Sequence, residues 1–264
     1  MSEERLHPNL ALDRRGPIEV LRVDREEALG ALNFETMEAL GTYVQGLYGR
    51  RDEVRVLMLT GTGRGFVAGA DIAGYHGAGQ TVFDGFQRRS RQTFDAIAGL
   101  PQATICAVNG YALGGGFELA MCCDFIFVNE KTKLGLPEIK LGLLPGGGGT
   151  QRLPRLVGAM RAKELLMTGR MITAAEAVEY GAALEACAPE ALMPRALEFA
   201  ESLATMAPVA LSEAKRVVDD GLDTALSAGL TMEQRVLGAL FATEDGKEGI
   251  AAFMEKRDPD FKGQ

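Results

Sequence analysis

The chain of 264 residues has no tryptophan, only two histidines and only four cysteines. Each shortage removes a class of chemistry. His7 stands in what reads as an N-terminal tail and His76 in a glycine-punctuated segment, so a Ser-His-Asp arrangement is poorly supplied, and no GxSxG elbow occurs. Metal ligation by histidine is equally ill supplied, and HExxH is missing. Cys106, Cys122, Cys123 and Cys187 show no CxxC spacing, and three sit in apolar runs. They read as reduced core thiols of a cytoplasmic protein. No apolar stretch is long enough to span a membrane, and MSEERLHPNL lacks the basic-then-apolar order of a secretory signal. No Lys/Arg run exceeds two residues and the net charge is −8, so nucleic acid is not an expected partner.

What is present is an ordinary globular composition, 47% hydrophobic and 24% charged, with length enough for a large core. PIEVLRV (17–23) and VRVLMLT (54–60) read as strands, being rich in β-branched residues. NFETMEALGTYVQGLYG (33–49) reads as an amphipathic helix with Asn33 as its N-cap. The polar, glycine-punctuated segment 73–86 reads as a loop, and 87–100 as a helix stopped by Pro101. ATICAVNG (103–110) and DFIFVN (124–129) are strands, with a helix opened by the glycines at 114–116 between them. Strands alternate with helices to about residue 170, and helices dominate afterwards.

Two glycine motifs invite nucleotide readings, and both fail. GTGRGF (61–66) has the first two glycines of GxGxxG, but Phe66 stands at the third. GYALGGGF (110–117) has the two glycines of a P-loop, but Gly116 and Phe117 replace the Lys-Ser/Thr pair. GGGG at 146–149 reads as a flexible turn or as backbone that a ligand can approach.

Two glutamates remain in odd company. Glu118 lies in ALGGGFELAMCCDF and Glu138, twenty residues on, in LGLPEIKLGLLPGGGGTQR. An ionised carboxylate is costly to remove from water, so apolar, glycine-rich surroundings suggest acid/base work. Glu118 follows Gly115 by three residues, so one helical turn can carry both an oxyanion donor and a carboxylate. That suits a carbonyl compound whose neighbouring carbons gain or lose a proton. Two plainer roles stay open here: Glu118 as a capping carboxylate in its helix's first turn, and Glu138 as a surface turn residue after Pro137.

Several stretches carry a family resemblance: VRVLMLTGTGRGFVAGADI (54–72), CAVNGYALGGGFELAMCCDFIF (106–127), LGLPEIKLGLLPGGGGTQRLPRLVG (134–158), MTGRMITAAEA (167–177) and AFMEKRDPDFKG (252–263). In them the chain resembles the enoyl-CoA hydratase/isomerase (crotonase) superfamily, and within it the hydratases. The resemblance implies an α/β fold, a spiral of ββα units over 1–198 holding the site, followed by a helical oligomerisation region over 199–264. It implies homotrimers, often paired as hexamers, an acyl-CoA thioester substrate and no separate cofactor. It matches Ala70 and Gly115 to the two backbone N–H donors of an oxyanion hole, and Glu118 and Glu138 to the acid/base pair. Ala68, Asp71 and Ile72 fall in the stretch lining the CoA and acyl site, with Pro137 and Gly146 beside it. Arg64 stands where a basic residue meets CoA phosphate. Phe253 and Lys256 match a pair that reaches CoA on a neighbouring subunit.

Two glutamates favour hydration of a 2-enoyl-CoA over double-bond isomerisation, which often uses one carboxylate. A non-catalytic acyl-CoA- or RNA-binding member is the alternative from a different class. The chain departs from the family at DREEALGAL (24–32), where Asp24, Glu26 and Glu27 replace an Asn, a Pro and a frequently basic position. These acidic residues either weaken CoA binding or face solvent. Phe83, Phe86 and Phe94 are either pocket or core, with Phe94 read as core.

Overall fold

A computed structural model describes residues 3–264. Eleven strands build two sheets. The larger has seven: β1 (Glu4–His7), β2 (Leu10–Arg15), β3 (Ile18–Val23), β4 (Val56–Gly61), β6 (Ala103–Val108), β8 (Phe125–Asn129) and β11 (Glu185–Cys187), in that spatial order. β1 to β3 form an antiparallel meander, and β3 to β11 run parallel. The smaller sheet orders β10 (Met171–Thr173), β9 (Lys133–Gly135), β7 (Tyr111–Leu113) and β5 (Gly65–Val67). Its β5, β7 and β9 are parallel, and β10 joins antiparallel.

Among the described residues there are ten α-helices: α1 (Phe34–Leu47), α2 (Gln80–Ala98), α3 (Gly115–Ala120), α4 (Gly149–Val157), α5 (Ala159–Thr168), α6 (Ala174–Glu179), α7 (Leu192–Ala204), α8 (Pro208–Leu222), α9 (Leu226–Phe241) and α10 (Glu244–Glu255). Three times the path runs from the large sheet to the small one and then into a helix: β4-β5-α2, β6-β7-α3 and β8-β9-α4. This is the expected ββα spiral.

The central strands are buried on both faces, which explains their unbroken apolar runs. Alternate residues go to opposite sides. Val56, Met58, Ile105 and Ala107 enter one core with Leu192, Ala196 and Ala200 of α7, while Leu57, Leu59, Cys106 and Val108 enter the other. Asn33 caps α1 as expected, its side chain accepting from the Thr36 N–H at 2.9 Å.

Two sequence expectations need correction. α2 begins at Gln80, so the loop that starts at residue 73 ends at Gly79 rather than at 86. The stretch with His7 is an edge strand, and His7 Nδ1 accepts from the Asn9 N–H at 3.2 Å. Residue 198 lies within α7, which packs on the large sheet, and α8 beyond it also touches β6. α9 has no buried residue, and Leu226, Leu230, Leu237 and Phe241 stand exposed on it. Among the described residues no helix is long and apolar enough to cross a membrane.

Candidate active site

The site residues converge because β5, β7 and β9 are adjacent and parallel, so their carboxyl ends lie side by side. Irregular backbone beyond such ends is a usual place for a ligand. Ala70 follows β5 by three residues, Gly115 follows β7 by two, and Glu138 follows β9 by three.

Leu32 pins the backbone on both sides of Ala70: its N–H donates to Gly69 O and its carbonyl accepts from Asp71 N, each at 2.9 Å. The intervening Ala70 N–H has no acceptor among the described residues. Gly115 opens α3, where the first N–H groups have no partner within the helix. A Cβ built on Gly115 would stand 3.8 Å from Ala70 N, so the two N–H groups are neighbours. Gly114 between them and the sheet has φ +53° and ψ −127°, a conformation that excludes a side chain, and its N–H donates to Gly135 O at 2.9 Å.

Glu118 is buried, on the next turn of α3. Its Oε1 accepts from Gly147 N and Gly149 N, both at 2.7 Å. The carboxylate therefore sits on the N-terminus of α4, not on its own helix, where free donors and the helix dipole favour negative charge. Burial raises its pKa, while the two N–H groups and the charge of Arg152 oppose the rise.

Glu138 begins a short 3-10 turn, Glu138–Leu141, and is not a simple surface residue. Its Oε2 is buried with no hydrogen-bond partner among the described residues, and its Oε1 lies 2.8 Å from where a Cβ on Gly114 would stand. Burial, reinforced by the charge of Glu118, pushes its pKa up to about 7. The two carboxyls thus differ in kind. One is held by donors suited to an anion, and the other is placed where a proton is retained.

The neighbours divide into those at this cluster and those away from it. Ala68 N donates to Leu29 O at 3.0 Å. Asp71 is held by Arg25 and caps the turn at Ala73. Ile72 is exposed beside it. Pro137 precedes Glu138 as the turn's N-cap residue. Gly146 abuts Gln87, whose Oε1 would be 2.5 Å from an added Cβ. Arg64 is exposed, without an ion pair among the described residues, and its carbonyl accepts from Tyr111 N at 3.2 Å. Phe253 and Lys256 are exposed on α10 and at its end, and α10 packs on α9 rather than on these strand ends. Phe94 is core, as expected, and braces Gly147. Tyr75 packs with Phe83 and Phe86, centroids 5.6 Å apart in each pair, and burial first, then the charges of Asp71 and Glu138, raises its pKa. The three rings form an aromatic cluster around Tyr75.

Known proteins resemble this chain over nearly its whole length. The model of the enoyl-CoA hydratase/isomerase family matches residues 13–264. The chain belongs to this family. A Rhizobium meliloti protein named as a probable enoyl-CoA hydratase is 41% identical over 256 residues, 97% of this chain and 98% of its own length. Crotonyl-CoA hydratase of Syntrophomonas wolfei is 38% identical over 258 residues, again 97% and 98%. The crystal structure of an enoyl-CoA hydratase from Bacillus anthracis superposes with a TM-score of 0.92 at 38% identity, covering 97% of this chain and 100% of that one. The family's crotonase fold is thus the fold of this chain. Sequence reasoning did not single out Gly147 and Gly149 as the donors to Glu118, nor Arg152 and Arg25. The GGGG run was the only signal for the first two.

Proposed function

We propose that this member of the enoyl-CoA hydratase/isomerase family hydrates 2-trans-enoyl-CoA to 3-hydroxyacyl-CoA. The observation that carries the reading is the pair of unlike carboxyls beside two neighbouring backbone donors. The thioester oxygen is placed between the N–H groups of Ala70 and Gly115, where the charge that develops on it is stabilised. One such donor is typically worth about 3 kcal/mol. Ionised Glu118 takes a proton from water as its oxygen bonds to the β-carbon. Protonated Glu138 gives a proton to the α-carbon. Before the next turnover Glu118 gives up the proton it gained and Glu138 takes one up, directly or by way of solvent. Water addition is redox-neutral, so no step is routed through a cofactor. The aromatic cluster of Tyr75, Phe83 and Phe86 suits the aliphatic chain of an acyl-CoA. Four free, buried thiols fit a reducing, cytoplasmic setting.

Crotonyl-CoA given to the purified protein is expected to lose its enoyl-thioester absorbance as 3-hydroxybutyryl-CoA forms. Conversion of 3-enoyl-CoA to 2-enoyl-CoA without hydration would replace this reading with isomerisation.

We also propose a homotrimer or a pair of trimers. An unpartnered row of Leu226, Leu230, Leu237 and Phe241 on α9 supports it, since monomers rarely leave so much contiguous apolar surface in water. Light scattering on the eluting protein should give three or six chain masses, and a Leu237→Asp variant should dissociate. A monomer at micromolar concentration would exclude the assembly.

A further inference from the structure

The acidic departure at 24–32 has a structural role that the family resemblance does not supply. Of its acidic residues Asp24 is paired, while Glu26 and Glu27 face solvent. Asp24 accepts from the Thr62 hydroxyl at 2.7 Å and pairs with Arg5, and Glu27 reaches Arg25 at 3.6 Å. The segment brackets the strand end that carries Ala70. Leu29, at φ +52°, turns its carbonyl to Ala68 N, and Leu32 holds Gly69 O and Asp71 N. Gly30, at φ +75°, lets the two segments touch, since a Cβ there would stand 2.2 Å from Phe66 O. Arg25 closes the bracket. Its Nη1 donates to Ala31 O at 2.9 Å and meets Asp71 Oδ2 at 2.7 Å, with the side chain largely withdrawn from water. One guanidinium thus ties the residue before Leu32 to the residue after Ala70.

We propose that Arg25, acting through Asp71, is a positioning residue for the Ala70 oxyanion donor. Ala68, Gly69 and Asp71 each spend a backbone polar group on this bracket, and the Ala70 N–H between the last two has no acceptor among the described residues. A donor contributes only if it is held where the oxyanion forms, and Arg25 Nη1 alone reaches acceptors on both segments of the bracket. The inference rests on the reading of Ala70 as an oxyanion donor, so that reading needs its own check.

The probe is butyryl-CoA carrying ¹³C at the thioester carbonyl, which is saturated and so cannot be hydrated. In the unsubstituted enzyme its infrared carbonyl stretch should move to lower frequency on binding. If it does not, the oxyanion reading itself fails. Arg25→Gln is expected to lower kcat for crotonyl-CoA about 10- to 100-fold with KM within about threefold, and to abolish at least half of the carbonyl shift. Arg25→Lys should fall between the two in both readouts. Asp71→Asn, which leaves Arg25 in place, should reproduce the loss, and the double variant should add little to either single one. A raised KM with kcat preserved would instead make Arg25 a contact to CoA phosphate. A fall in kcat with the carbonyl shift intact, or no change at all, would equally overturn the proposal.

Discussion

Glu138→Gln is expected to lower kcat for crotonyl-CoA at least about 100-fold, and Glu118→Gln by as much. Glutamine keeps the shape of each side chain and removes only its proton chemistry. The two losses should not add, because the carboxyls act on one water and one double bond. The pH profile separates their roles. The rate should rise with pH as Glu118 ionises, assisted by Gly147 N–H, Gly149 N–H and Arg152. It should fall as pH passes about 7, where Glu138 loses the proton it must donate. In the residual activity of Glu138→Gln the alkaline limb should vanish, and in that of Glu118→Gln the acid limb should vanish. Near-normal turnover in both variants, or an alkaline limb that survives in Glu138→Gln, would remove these residues from the chemistry.

Stability should move the other way. Glu138 binds its proton more tightly in the folded chain than in the unfolded one. The stability this contributes is complete below the unfolded carboxylate's value, declines as pH rises above it, and is gone once pH passes about 7. Above that point the folded protein bears a poorly solvated charge. Glutamine bears none, so Glu138→Gln should be the more stable protein at pH 8, by on the order of 1–2 kcal/mol once partial exposure is discounted. Denaturant titrations at pH 5 and pH 8 should show the gap opening between them. The opposite effects on rate and stability are what a carboxyl held for function produces.

The sequence showed the long elements and hid the short ones that position the site. β4 and β6 were legible because parallel strands buried on both faces leave continuous apolar runs. β5, β7, β9 and β10 have three residues each, GFV, YAL, KLG and MIT, too few for any period. Yet their carboxyl ends gather Ala70, Gly115 and Glu138. β1 reads as a tail because ERLH is short and polar. Both glutamates stood out, since charge among glycines is locally anomalous. Their difference in protonation did not, because it depends on partners far along the chain. Glu118 is held by groups 29 and 31 residues away, whereas Glu138 has a buried oxygen with none. Arg25 was invisible as a positioning group for the same reason: its partner Asp71 comes from another strand end.

Gly147→Ala should be far more damaging than Gly146→Ala, although the two glycines are adjacent and neither has a positive φ. Only what the added methyl meets differs. At 147 it would stand 2.5 Å from Phe94 Cε2 and 2.9 Å from Glu118 Oε2. Phe94 is fully enclosed and cannot swing aside, so the carboxylate or the loop must move. Overpacking of this kind costs about 1–3 kcal/mol. Displacing Glu118 from its two donors should also cost kcat about 100-fold, as a misplacement of about 1 Å can. The acid limb should shift to higher pH, because the anion loses the N–H groups that favour it. At 146 the methyl meets the end of the Gln87 side chain, which is half-buried and can rotate. There the loss should stay below about 1 kcal/mol and kcat within about threefold. Kinetics on both variants, at a temperature where circular dichroism shows each fully folded, separate a displaced carboxylate from an unfolded chain. Equal rates in the two variants would mean that the loop is a flexible turn after all, and that Glu118 does not depend on where its donors are held.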